Sequence, residues 1–86
     1  MSWQQRWGEP VVDSAATKTI VIAPGTLFVN VTGGEVVKFV DGGKSFAWNF
    51  EGPYAYAFEL NRGAPPGVLD HRVMAYVDAD PYFNAR

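Results

Sequence analysis

The chain has 86 residues, no cysteine and a formal net charge of −2, with 48% hydrophobic and 15% aromatic residues. That describes one globular domain with a small core, since a chain of this length buries only about 60% of its unfolded surface, and it excludes disulfide stabilisation and intrinsic disorder. The seven basic and nine acidic side chains are scattered, without the basic stripe that nucleic acid requires, and no apolar run reaches the ~18 residues of a membrane span.

Residues 1–16 read as an irregular N-terminal arm, because Gly8, Pro10 and Asp13-Ser14 interrupt any helical pattern. Trp3 and Trp7 are bulky apolar side chains in this otherwise polar arm. They are expected to dock on the core or on a partner chain, and are candidate interface residues. The opening MSWQQRWGEP lacks a hydrophobic h-region and does not read as a secretory signal. The chain is then either cytoplasmic or a mature form.

Residues 17–86 read as a single β domain. Strands are expected over residues 17–22 (TKTIVI) and 27–31 (LFVNV), the first ended by Pro24-Gly25. Residues 29–50 then read as a meander of strand, turn, strand, turn, strand. Gly33-Gly34 and Asp41-Gly42-Gly43 supply the turns, since these residues accept positive φ at little steric cost. Phe46, Trp48 and Phe50 fall two apart and share one face of the third strand. In the next run Tyr54, Tyr56, Phe58 and Leu60 alternate with small or polar residues. The two aromatic faces are expected to meet, across either a hairpin or a sandwich. Residues 61–70 (NRGAPPGVLD) are expected to form a loop, residues 72–77 (RVMAYV) the last strand, and Tyr82-Phe83 a C-terminal anchor. The sum is an all-β domain, a small β-sandwich or barrel-like sheet of six to seven short, mainly antiparallel strands. Its core should hold Phe46, Trp48, Phe50, Phe58 and Val37 or Phe39. A core this small favours burial of further apolar surface in a homodimer.

Chemistry-bearing residues are few. Gly42-Gly43-Lys44-Ser45 has the ending of a phosphate loop, but Lys38 stands where the first glycine belongs and a strand follows instead of a helix. Asp70-His71 with Ser45 or Ser14 would supply triad components, yet neither serine sits in G-x-S-x-G, and neighbours on an extended chain point apart. No enzyme is expected. Asp78 and Asp80 share a face without enough oxygens for a Ca²⁺ loop, and Asn30-Val31-Thr32 is a chance glycosylation triplet inside a strand. His71 is the only imidazole, and so the one neutral-pH nitrogen ligand for a borderline metal.

Several segments together resemble the CzcE family of heavy-metal resistance proteins, over residues 8–83. They are Val29-Asn30-Val31 with Gly34-Glu35, and Gly43-Lys44-x-Phe46-x-Trp48-x-Phe50. Phe58-x-Leu60 follows, then Ala64-Pro65, Gly67-Val68-Leu69, Asp70-His71, Tyr76-Val77 and Pro81-Tyr82. The resemblance implies a periplasmic, non-enzymatic copper-binding protein, with a β-sandwich or barrel-like fold and a dimer in which strands contribute across the interface. It places copper on surface histidines. With His71 alone available, further ligands would come from a carboxylate such as Asp70, from Met74, from the N-terminal amine, or from His71 of a second subunit. The expected function is a copper-binding accessory protein of a heavy-metal resistance or homeostasis system. The alternative is an adhesion or protein-interaction module without a metal role.

Overall fold

A computed structural model describes residues 8–51 and 55–80; Trp3, Trp7, Tyr54, Tyr82 and Phe83 lie outside them. Seven strands and two short 3₁₀ turns make two facing sheets. The strands are β1 (Gly8–Val11), β2 (Lys18–Val21), β3 (Phe28–Thr32), β4 (Val36–Asp41), β5 (Lys44–Phe50), β6 (Tyr56–Glu59) and β7 (Met74–Asp78). One sheet has the order β1-β5-β4-β2, the other β3-β7-β6. Both are mixed: β1–β5, β4–β5 and β6–β7 are antiparallel, while β2–β4 and β3–β7 are parallel. The result is an open sandwich, not a closed barrel. Among the described residues no helix is long and apolar enough to cross a membrane.

Alternation builds the core. Val37 and Phe39 of β4, and Phe46, Trp48 and Phe50 of β5, point inward to meet Val29 and Val31 of β3, Phe58 of β6, and Ala75 and Val77 of β7. Phe39, Phe50, Leu60, Val37 and Val73 are fully enclosed, each contributing about 1.5–3 kcal/mol of burial. Phe39 lies between its neighbours on β5, stacked on Phe46 and edge-on to Phe50. The two aromatic runs meet across the sandwich, where Trp48 stacks on Phe58 with centroids 5.5 Å apart.

Three local readings change. The 29–50 meander divides, because only β4 and β5 form a hairpin and β3 belongs to the other sheet. The turn at Gly33-Gly34 carries the chain between sheets, with the Gly33 amide bonded to Asp78 O and the Gly34 amide to Phe50 O. Residues 8–11, read as irregular, form an edge strand against β5, where Pro10 is tolerated because one side of β1 needs no donor. Ala47, on the outward face of β5, is nevertheless buried. The 3₁₀ turn Asp13–Ala15 packs against β5 there, and Ser45 Oγ donates to Asp13 Oδ2 at 2.5 Å.

The long connection from β6 to β7 is held at two points. The 3₁₀ turn Leu60–Arg62 ends at Gly63, where a Cβ would come within 2.7 Å of the Trp48 ring. Two residues before Gly63, Asn61 clamps the returning chain: its Nδ2 donates to His71 O, and its Oδ1 accepts from the Val73 amide, both at 2.8 Å.

Two outcomes follow. Gly63→Ala should destabilise by about 1–3 kcal/mol through overpacking against the buried Trp48 ring, read as a lower urea midpoint. Asn61→Ala should cost about 1–3 kcal/mol, because it strands a backbone donor and an acceptor together; Asn61→Asp, which keeps the acceptor for Val73, should recover part of it.

Candidate metal centre

His71 stands near the end of the 61–73 connection, where the parallel register of β3 and β7 brings two loops together. Phe28 pairs with Met74, and the Met74 amide bonds to Leu27 O just before that pairing begins. Thr26 and His71 therefore arrive side by side. Thr26 is itself fixed by the Pro24-Gly25 turn, its amide bonded to Ala23 O and its Oγ1 accepting from the Ala23 amide, each at 3.0 Å.

Both imidazole nitrogens are engaged. Nδ1 lies 2.7 Å from Asp70 Oδ1 and Nε2 lies 2.6 Å from Thr26 O. The expectation that Asp70 and His71 point apart is thus corrected: residues 70 and 71 lie in a bend, not in extended chain, so the alternation rule does not reach them. A backbone carbonyl only accepts, which fixes a proton on Nε2. The carboxylate opposite Nδ1 favours a second proton there, and so the imidazolium form of the ring. The Asp70 hydrogen bond, followed by that to Thr26, raises His71 above its ordinary 6.5. In turn, the hydrogen bond from His71 holds Asp70 below the usual 3.8.

Among the described residues, no hydroxyl hydrogen-bonds to the ring. Ser45, a triad candidate on paper, gives its proton to Asp13, and the Asp70 and Thr26 oxygens occupy both ring nitrogens that would activate a nucleophile. Asp70 and His71 are the two residues here that could hold a metal ion. Two donors each about 2.0–2.2 Å from one ion, at roughly a right angle, stand close to 3 Å apart, near the Nδ1–Oδ1 separation observed. An ion replacing the Nδ1 proton would be chelated by both, while Nε2–H stays on Thr26 O and keeps the ring oriented as outer-shell partners do.

Other candidates lie elsewhere. Met74 projects to the outer face of the smaller sheet, flanked in register by Phe28 and Glu59, with its Sδ 3.7 Å from Arg72 Nη2. Asp78 and Asp80 sit at the far end of β7, Asp80 beside Gly34. Among the described residues no group of three or more His, Cys, Asp or Glu already stands close enough to hold an ion. Sequence reasoning singled out Asp70 and His71 but missed Thr26 and Asn61. Thr26 acts through its carbonyl, which no side-chain pattern reveals, and Asn61 looks like any loop asparagine.

The comparisons agree with this architecture. The family model described as heavy-metal resistance protein CzcE matches residues 5–84. The crystal structure of the apo form of CzcE from C. metallidurans CH34 superposes with a TM-score of 0.71 at 32% identity, over 87% of this chain and 84% of that one. Among curated proteins nothing matches. The chain belongs to the CzcE heavy-metal resistance family.

Proposed function

We propose that this protein is a non-enzymatic, copper-binding accessory protein of a heavy-metal resistance system, acting in the periplasm. It binds Cu(II) through His71 Nδ1 and Asp70 Oδ1. The observation that carries the reading is the pair of donors 2.7 Å apart on a ring whose other nitrogen is anchored on Thr26 O. A nitrogen–oxygen pair suits Cu(II), whereas the Met74 thioether would suit Cu(I). Met74 is given to packing against Arg72, and water completes the metal's shell. Compartment and metal rest on the family resemblance.

We also propose a homodimer. Leu27, Phe28 and Tyr76 are 65%, 55% and 46% exposed, and Phe28 and Tyr76 make an edge-to-face pair on the outer side of the smaller sheet, an apolar patch that a second copy would cover. Trp3 and Trp7 remain candidates for the same interface. An adhesion or interaction module would use this patch too, but would not need the His71 pair.

The tests separate these readings. His71→Ala should abolish most Cu(II) binding measured by calorimetry while preserving the far-UV CD spectrum. Unchanged affinity would overturn the site, and no Cu(II) binding by the parent chain would overturn the function. Protons and Cu(II) compete for Nδ1, so affinity should fall about tenfold per pH unit once pH drops below the histidine's raised pKa, beginning above 6.5. The sign reverses for stability of the metal-free protein. A raised histidine pKa stabilises fully below 6.5 and loses that contribution as pH rises through the folded value. The melting-temperature gap between parent and His71→Ala should therefore be larger at pH 5.5 than at pH 8.5, pH values chosen roughly to bracket the transition. Sedimentation of Phe28→Ser should show a shift toward monomer, and a parent that is monomeric at micromolar concentration would overturn the dimer.

A further inference from the structure

The β6–β7 ladder continues past the end of β6, but a side chain carries it. The last strand pair is Glu59 with Met74. At the next position the Leu60 amide still bonds to Val73 O at 2.8 Å, while Leu60 O turns away to accept from the Gly63 and Ala64 amides that close the 3₁₀ turn. In a regular antiparallel ladder that carbonyl would serve the Val73 amide. Asn61 takes its place: Oδ1 accepts from Val73 N, and Nδ2 reaches on to His71 O. The carboxamide stands in for a peptide group and brings the ladder to the residue that bears the imidazole.

Its orientation is settled by its partners. A backbone amide donates and a carbonyl accepts, so the oxygen faces Val73 N and the nitrogen faces His71 O. The turn that presents it is fixed from beneath, by the fully enclosed Leu60 and by Gly63 against the Trp48 ring. What the carboxamide holds is the bend at residues 70 and 71. Consecutive side chains converge only where the backbone bends, since on extended chain they point to opposite sides. The 2.7 Å approach of Asp70 Oδ1 to His71 Nδ1 depends on that bend. Asn61 secures its backbone through His71 O and Val73 N, while Thr26 O holds the far side of the ring.

We infer that Asn61 is the positioning residue of the Asp70–His71 pair. Through the backbone of the bend it keeps the two donors at chelating distance, and so sets the affinity and uniformity of the site for a borderline divalent cation without touching the ion. The inference rests on the reading proposed for Asp70 and His71.

The test uses the whole chain, with Cu(II) as the only added ligand. Calorimetry gives the affinity and electron paramagnetic resonance the surroundings of the bound ion. Nitrogen NMR of labelled histidine reports on the metal-free ring, unambiguously because His71 is the only imidazole. Parent, Asn61→Ala, Asn61→Asp and His71→Ala are compared with Val37→Ala, which weakens the core from the other sheet and leaves the clamp intact. CD confirms the fold of each. Asn61→Ala should lower Cu(II) affinity about tenfold or more, spread the copper g and hyperfine values over several environments, and speed exchange of the Nε2 proton with water. Asn61→Asp keeps the acceptor for Val73 but has no donor for His71 O, so it should regain stability without regaining slow ring exchange. Val37→Ala should lower the urea midpoint yet keep the parent's affinity, spectrum and ring exchange. Parent-like affinity and spectrum in a folded Asn61→Ala, with His71→Ala unable to bind, would overturn the inference and leave the two-donor reading standing. Equal losses in Val37→Ala would overturn it as well, since affinity would then follow stability at large. Where Asn61→Ala does not fold, slow ring exchange in Asn61→Asp overturns it. If the parent does not bind, or His71→Ala binds as well as the parent, the two-donor reading fails and this inference with it.

Discussion

The stack of Trp48 on Phe58 sets the geometry on which the rest of the molecule depends. These rings come from opposite sheets and lie nearly parallel, 24° apart, so they fix the gap between the layers. The same indole forms the floor under Gly63, close enough to exclude any side chain there. The turn following β6 is thereby pressed onto the core, and Asn61 within it takes hold of the chain at His71 and Val73. The placement of the surface imidazole is thus derived, in three steps, from an aromatic contact in the interior.

The histidine itself is held by acceptors on both sides, unlike a ring in a preformed multi-histidine cage. A cage offers lone pairs to the metal from the start; here the Asp70 carboxylate favours a proton on Nδ1, which competes with the metal for that pair. Under the proposed function, binding is an exchange of one cation for another at a nearly constant nitrogen–oxygen separation. The few protein donors and the remaining water ligands favour rapid exchange over tight sequestration. Such a site suits a protein that operates when metal is in excess, as a member of a resistance family would.

Much of the fold was legible because β-structure with one buried face writes itself as alternation. Phe46, Trp48 and Phe50 could be assigned to one face without knowing what covered them, and the partner face containing Phe58 announced itself in the same way. What could not be read was which sheet a strand joins. Gly33-Gly34 permits a tight reversal equally well in a hairpin and in a crossover, and the difference lies in long-range partners such as Asp78 O and Phe50 O. β1 was missed because glycine, glutamate and proline are poor strand formers, and an edge position rather than propensity makes them one. At the site, Asp70 and His71 were visible as residue types, but their contact was hidden, because a bend suspends the alternation rule that the strands obey.

The parallel pairing of β3 with β7 has a consequence for how the molecule comes into being. It joins Phe28 to Met74 and Thr32 to Asp78, so the central strand of the smaller sheet is supplied by a late segment and has no hairpin neighbour on that side. The β4–β5 hairpin can form locally and early, whereas the smaller sheet must await closure of a long loop, the slow kind of contact in folding. The His71–Thr26 hydrogen bond spans 45 positions and belongs to that last event. During synthesis the larger sheet would carry Phe39, Phe46, Trp48 and Phe50 without a complete lid until β7 emerges. The imidazole geometry would be among the final features to appear, a marker of completed folding rather than a nucleus for it.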